Sequence, residues 1–165
     1  MTNFSKFFHV GLILAIGVLS GRDANATNCA KVPPGVPIPE KTLCGAVKNR
    51  TGRTMHITRT LDPQPKPGED ACDVWNWDGL WKSSFRHAGC HQEPLTHGTV
   101  GGNLRHDDVD AFTFNGEGYH ERSSRVGKWT WRKKGVWTKI DSGEIADCGI
   151  GANNEIWCTR LVAAP

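Results

Sequence analysis

The chain has 165 residues, and its 20 Lys and Arg against 17 Asp and Glu leave a formal net charge of only +3. That length suits one compact domain, and the near balance of charge argues against nucleic acid as the partner. Six cysteines and seven tryptophans in so short a chain point instead to a disulfide-stapled, aromatic-rich fold.

Residues 1–26 have the layout of a secretory signal peptide: Lys6, an apolar core from Phe7 to Leu19, and a small-residue ending at Ala24-Asn25-Ala26. His9 interrupts the apolar run and Arg22-Asp23 closes it, so it is too short for a membrane anchor. No other stretch is apolar enough to span a bilayer. The expected product is secreted and extracellular, a monomer of net charge +2 once Lys6, Arg22 and Asp23 are removed.

Residues 27–43 carry Pro33, Pro34, Pro37 and Pro39 and read as an extended N-terminal arm, which leaves 44–165 as a single β-rich domain. All six cysteines, Cys29, Cys44, Cys72, Cys90, Cys148 and Cys158, lie beyond the signal peptide. Their even number in a secreted chain implies disulfides; six cysteines allow 15 connectivities, of which sequence proximity suggests Cys29 with Cys44, Cys72 with Cys90 and Cys148 with Cys158. Zinc-type Cys/His spacings are missing, and nothing in the sequence calls for a cofactor.

Gly45 to Asn49 and Thr54 to Leu61 read as two strands of a hairpin joined at Asn49-Arg50-Thr51-Gly52. The same turn is an N-glycosylation sequon, which would expose Asn49 for modification. Asp62 to Asp70, with three prolines, is a surface loop. In Cys72 to Trp81, the alternation through Val74, Trp75, Asn76, Trp77 and Asp78 predicts a strand with Trp75 and Trp77 on one face. That face serves either core packing or sugar stacking. Lys82 to Asn103, with His87, His91 and His97, reads as a long irregular loop tethered by Cys90.

Arg105 to Phe114 predicts a strand whose Phe112 and Phe114 point inward. Asp107, Asp108 and Asp110, with Glu117, are the candidate oxygen ligands for calcium, but they lack the order of an EF-hand loop. The competing account pairs these carboxylates with Arg105 and Arg122. Tyr119-His120-Glu121-Arg122 holds the residue types of a metal-free ribonuclease. His120 and Arg122 share a strand face, Glu121 takes the other, and a remote partner such as His56 would be required.

Val126 to Ile140, VGKWTWRKKGVWTKI, predicts a β-hairpin around Arg132-Lys133-Lys134-Gly135. With a three-residue loop, Trp129, Trp131 and Trp137 form one cluster. With a two-residue loop, Trp137 faces out among Lys128, Arg132 and Lys139. Gly135 at the left-handed position favours the first register, while the candidate binding surface is Trp137, Lys128, Arg132 and Lys139 together with Trp75 and Trp77. Ile156 to Leu161 makes the last strand.

Helical periodicity is missing throughout, and short strands recur between Gly, Pro, Asn and Asp turns. The expected fold is all-β, a small disulfide-stapled sandwich or barrel of short antiparallel strands.

The segments Lys48-Asn49-Arg50-Thr51-Gly52, Val74-Trp75-Asn76-Trp77-Asp78, Asp108 to Phe114 and Lys133 to Ile140 resemble small secreted cysteine-rich proteins of filamentous fungi. The resemblance implies an effector that acts outside the producing cell on a host or competing microbe. The function expected is a secreted, non-enzymatic binding protein that contacts a host protein or cell-wall carbohydrate through its aromatic and basic surface. A membrane-active antimicrobial toxin and a ribonuclease-like hydrolase built on His120 and Arg122 are the alternatives.

Overall fold

The computed structural model describes Cys29 and residues 44–79, 84–103 and 106–162. The expected signal peptide, most of the proline-rich arm, Trp81 and Arg105 lie outside the described residues. In chain order the strands are β1 (Ala46–Arg50), β2 (Met55–Thr58), β3 (Leu61–Asp62), β4 (Asp70–Val74), β5 (Arg86–Cys90), β6 (Glu93–Leu95) and β7 (Val100–Gly101). They continue as β8 (Ala111–Thr113), β9 (Tyr119–Ser123), β10 (Thr130–Arg132), β11 (Val136–Lys139), β12 (Glu144–Ile150) and β13 (Ile156–Val162). Among the described residues the only helical element is the 3-10 turn Ala152–Asn154.

Two sheets result, one in the order β10-β9-β13-β12-β1-β7 and the other β3-β5-β4-β11-β8-β2-β6. The fold is therefore all-β, as the strand periodicity predicts. The sheets are mixed, however: β1 runs parallel to β12, β9 to β13 and β4 to β11.

The central core lies between the sheets. Val47, Tyr119, Ala146, Cys148, Ile156 and Cys158 of the first sheet meet Met55, Ile57, Leu95 and Phe112 of the second, joined by Phe114 just past β8. Phe112 and Phe114 point inward as expected, each with its ring about Tyr119 (centroids 5.6 and 5.5 Å). A second cluster, Leu61, Cys72, Val74, Ala88, Cys90, Ala111 and Trp137, fills the opposite side of the second sheet.

All three disulfides form as proximity suggests: Cys29–Cys44, Cys72–Cys90 and Cys148–Cys158. The last joins partners that face each other across β12 and β13. No helix among the described residues is long and apolar enough to cross a membrane.

Neither expected hairpin exists. β1 pairs with β12 and β7, whereas β2 pairs with β6 and β8 in the other sheet, so the Asn49–Gly52 turn carries the chain between layers. Likewise β10 pairs with β9, and β11 lies between β4 and β8. Gly135 has the left-handed φ of 73° that its position calls for, but it makes a crossover rather than a hairpin loop. The physical reason is burial. Trp137 needs a strand covered on both faces, which the edge strand β10 cannot offer it.

Two further departures concern single elements. The strand through Trp75 stops at Val74, because the Asn76 side chain takes over the pairing: its Oδ1 accepts from the Lys139 N–H (2.7 Å) and its Nδ2 donates to the Lys139 carbonyl (2.9 Å). The supposed loop from Lys82 to Asn103 contains β5, β6 and β7. Its histidine-rich composition concealed strands completed by partners far along the chain.

Candidate functional site

Along β9 the burial alternates, with Tyr119, Glu121 and Ser123 buried and His120 and Arg122 partly exposed. Along β13, Ile156, Cys158 and Arg160 are buried, so Trp157, Thr159 and Leu161 point the other way. The outward positions of the two strands lie on the free face of the first sheet.

Register aligns them into rows. Trp131 of β10, His120 of β9 and Trp157 of β13 are direct neighbours across three strands, and Gly149 of β12 and Arg50 of β1 continue the row. In the next row Arg122 faces Thr159, which faces Asp147 and then Lys48. Trp129 precedes β10 on the Arg122 side.

The rings pack against one another. His120 and Trp157 stack with centroids 4.0 Å apart and planes 12° from parallel, and Trp131 meets His120 edge-on at 4.8 Å. Trp129 meets Trp157 edge-on at 4.8 Å, and the Arg122 guanidinium lies 4.6 Å from the Trp129 ring centroid.

Two glycines seat the indoles. A methyl group at Gly118 would overlap the Trp131 ring and the Arg132 carbonyl, and one at Gly151 would overlap the Trp157 ring. Gly149, by contrast, has open space above it, leaving a shallow gap between Trp157 and the ion pair of Arg50 with Asp147 (2.8 Å).

The polar groups of the face differ in how they are used. His120 Nε2 is 3.3 Å from Glu155 Oε2, which rises from the turn before β13. Arg122 has no hydrogen-bond or ion-pair partner among the described residues, and its Nε is shielded from solvent. Trp131 is the most exposed ring of this face, with 49% of its surface free.

The sequence-based candidates divide. His120 and Arg122 come together on one face, as alternation predicts, and Glu121 turns inward. There it accepts from Arg132 (2.8 Å) and Arg160 (3.3 Å). His56 cannot complete a site with His120. It neighbours Thr113 on the side of the second sheet that carries Trp137, so the two histidines point away from the sandwich in opposite directions.

The three aspartates diverge as well. Asp107 pairs with Arg59 (2.8 Å), Asp108 accepts from the Gly45 N–H, and Asp110 is held beside the β8 and β11 ends with Oδ2 unpartnered. Burial, reinforced by the Asp108 charge, raises the Asp110 carboxyl to about 7. No three His, Cys, Asp or Glu among the described residues stand together as a metal-ligand set; Asp107 pairs with Arg59, Arg122 pairs with none of these carboxylates, and Arg105 lies outside the described residues.

Of the expected binding surface, Trp137 is buried in the second core and Trp75 is 9% exposed, with Nε1 donating to Thr138 Oγ1 (2.9 Å). Arg132 points inward, 3.4 Å above the Trp75 ring, so its charge is not presented to a partner. Trp77 and Lys139 form a separate, half-buried group in which Arg86 and Lys139 lie over the Trp77 ring at 4.8 and 5.3 Å. Lys128 alone of this set is exposed.

Asn49 is not available for a glycan. It is fully buried, its Nδ2 donates to the Arg53 and Leu95 carbonyls (2.9 and 2.8 Å), and its Oδ1 accepts from the Thr51 N–H and hydroxyl (3.1 and 2.8 Å).

The chain matches no family model, no curated protein and no solved structure. The site must therefore be judged on its own geometry.

Sequence reasoning passed over Trp157 and Glu155. One signal was present: if Cys158 is inward to meet Cys148, then Trp157, its neighbour on a strand, must be outward. Glu155 carried no such signal, since only the turn geometry brings it to His120.

Proposed function

We propose that this chain is a secreted, non-enzymatic binding protein that engages a cell-wall polysaccharide of a host or competitor through the free face of its first sheet. The observation that carries the reading is the row Trp131, His120 and Trp157, with its rings seated on Gly118 and Gly151. A sheet places these side chains with little residual freedom, so binding costs little additional ordering. Trp131 offers an indole face to the apolar side of a sugar, and Thr159, Asp147, Arg50 and Lys48 offer hydrogen-bonding groups alongside. The disulfides support action in an oxidising compartment, in keeping with the effector-type resemblance.

The test is retention of the purified protein on insoluble chitin, β-glucan and plant cell-wall fractions, followed by Trp131→Ala. Retention that Trp131→Ala abolishes, with the unfolding midpoint unchanged, is the expected result. Equal retention of both proteins would remove the face from the reading.

One observation favours a second reading, ribonuclease-like hydrolysis: His120 is paired with Glu155, and Arg122 lies on the same face. A zymogram on RNA decides it, since activity lost in His120→Ala would make the protein an enzyme.

A further inference from the structure

We infer that the polysaccharide bound by this face is acidic, and that Arg122 is the residue that receives its carboxylate. The inference rests on the binding role proposed above and adds the chemical class of the ligand.

The charges of the face supply the argument. Arg50 is neutralised by Asp147 and His120 is engaged by Glu155, whereas Arg122 and, farther along its row, Lys48 have no ion-pair partner among the described residues; of the two, only Arg122 lies beside the aromatic rings. Contact with the Trp129 ring, 4.6 Å away, restrains the guanidinium. A planar, pre-oriented fork of donors matches a carboxylate, which accepts two parallel hydrogen bonds from it. Thr159, directly across from Arg122, adds a hydroxyl.

Strand geometry sets Arg122 and Trp131 one strand apart and two residues along, roughly 8 Å between backbones. A chain of sugars lying on Trp131 can thus bring a carboxylate to Arg122. Single-stranded nucleic acid, the other polymer that combines stacking with anionic groups, needs several open ring faces in succession. Here His120 and Trp157 cover each other and Arg122 covers Trp129, which leaves Trp131 as the main exposed ring.

The test uses the disulfide-bonded protein and four soluble probes: polygalacturonate, the same polymer with its carboxyls methyl-esterified, a neutral β-glucan and single-stranded RNA. Polygalacturonate should bind at least about tenfold more tightly than its esterified form, the scale of one charge-assisted pair. Arg122→Gln should erase that difference, and Trp131→Ala should weaken both. Circular dichroism and the unfolding midpoint establish that each variant is folded, and Arg122→Lys serves as a second variant that keeps the charge but loses the fork.

Equal binding of the acidic and esterified polymers, or a preference that survives Arg122→Gln, overturns the acidic-ligand inference while leaving the binding role intact. Tighter binding of RNA than of polygalacturonate overturns it in favour of the other polymer. Failure of all four probes removes the binding role itself, and with it the inference.

Discussion

Asn49 shows how a single side chain can contradict its own motif. In sequence it heads a sequon, yet in the fold its amide closes the β1–β2 turn and ties it to Leu95, leaving no hydrogen for a glycan. Protein secreted from a glycosylating host should have the intact mass of the processed, disulfide-bonded chain without a glycan. Asn49→Ala should cost about 2 kcal/mol or more by leaving the Leu95 and Arg53 carbonyls unpaired. Asp110 carries a second residue-scale consequence. Its folded-state value of about 7 lies above the ordinary carboxylate value near ~3.9, so between these limits the folded protein keeps a proton that the unfolded chain releases. Stability therefore falls as pH rises through that window and levels off above it. Burial raises Asp108 and Glu144 in the same direction. Urea unfolding should give a lower midpoint at about pH 8 than at about pH 5, and Asp110→Asn should reduce the gap. An unchanged gap would assign the effect to the other carboxyls.

At the level of elements, β10 and β11 are consecutive strands with opposite burial. β10 is an edge strand that presents Trp131, while β11 is central and has Trp137 on one side and Thr138 on the other, both buried. Thr138 Oγ1 lies 2.7 Å from the Tyr119 hydroxyl of the facing sheet, so β11 is committed on both faces. Trp137→Ala should cost about 3–5 kcal/mol, whereas Trp131→Ala should stay within about 0.5 kcal/mol of the parent. Thermal and urea unfolding of the two variants checks this contrast directly. The hairpin of β12 and β13 is the element that sets the site. Its register places Trp157 beside His120, and its disulfide fixes that register at Cys148 and Cys158.

For the molecule as a whole, the two sheets are joined at one end by charge rather than by hydrocarbon. Arg160, 1% exposed, donates to Glu144 and Glu121 of its own sheet (3.3 Å each) and to the Lys139 carbonyl of the facing sheet (3.2 Å). Arg132 adds a second cation at Glu121 and stacks on Trp75 across the gap. Removing one member strands buried carboxylates, so Arg160→Ala should destabilise by about 3–5 kcal/mol. Equilibrium unfolding measures it, and replacing Arg160, Glu121 and Glu144 together by apolar residues of similar volume should recover much of the loss.

The sequence by itself determined what is local. Period-two alternation specified strands, inward Phe112 and Phe114 and a face shared by His120 and Arg122, because a strand sends successive side chains to opposite faces whatever it pairs with. Cysteine proximity suggested the three bridges, because short chain separations close most readily, and the fold selected them from the 15 possible connectivities. Gly135 specified a left-handed residue. What the tertiary structure decided was partnership. A turn residue permits a reversal without naming the strand that receives it, and both expected hairpins became crossovers between sheets. The same indeterminacy hid the site. Trp131, His120 and Trp157 come from three strands, and Glu155 from a turn, and they meet only because β9 lies between β10 and β13. Strand order in a sheet is set by which pairings together bury the core, a condition on the whole chain that no local pattern contains.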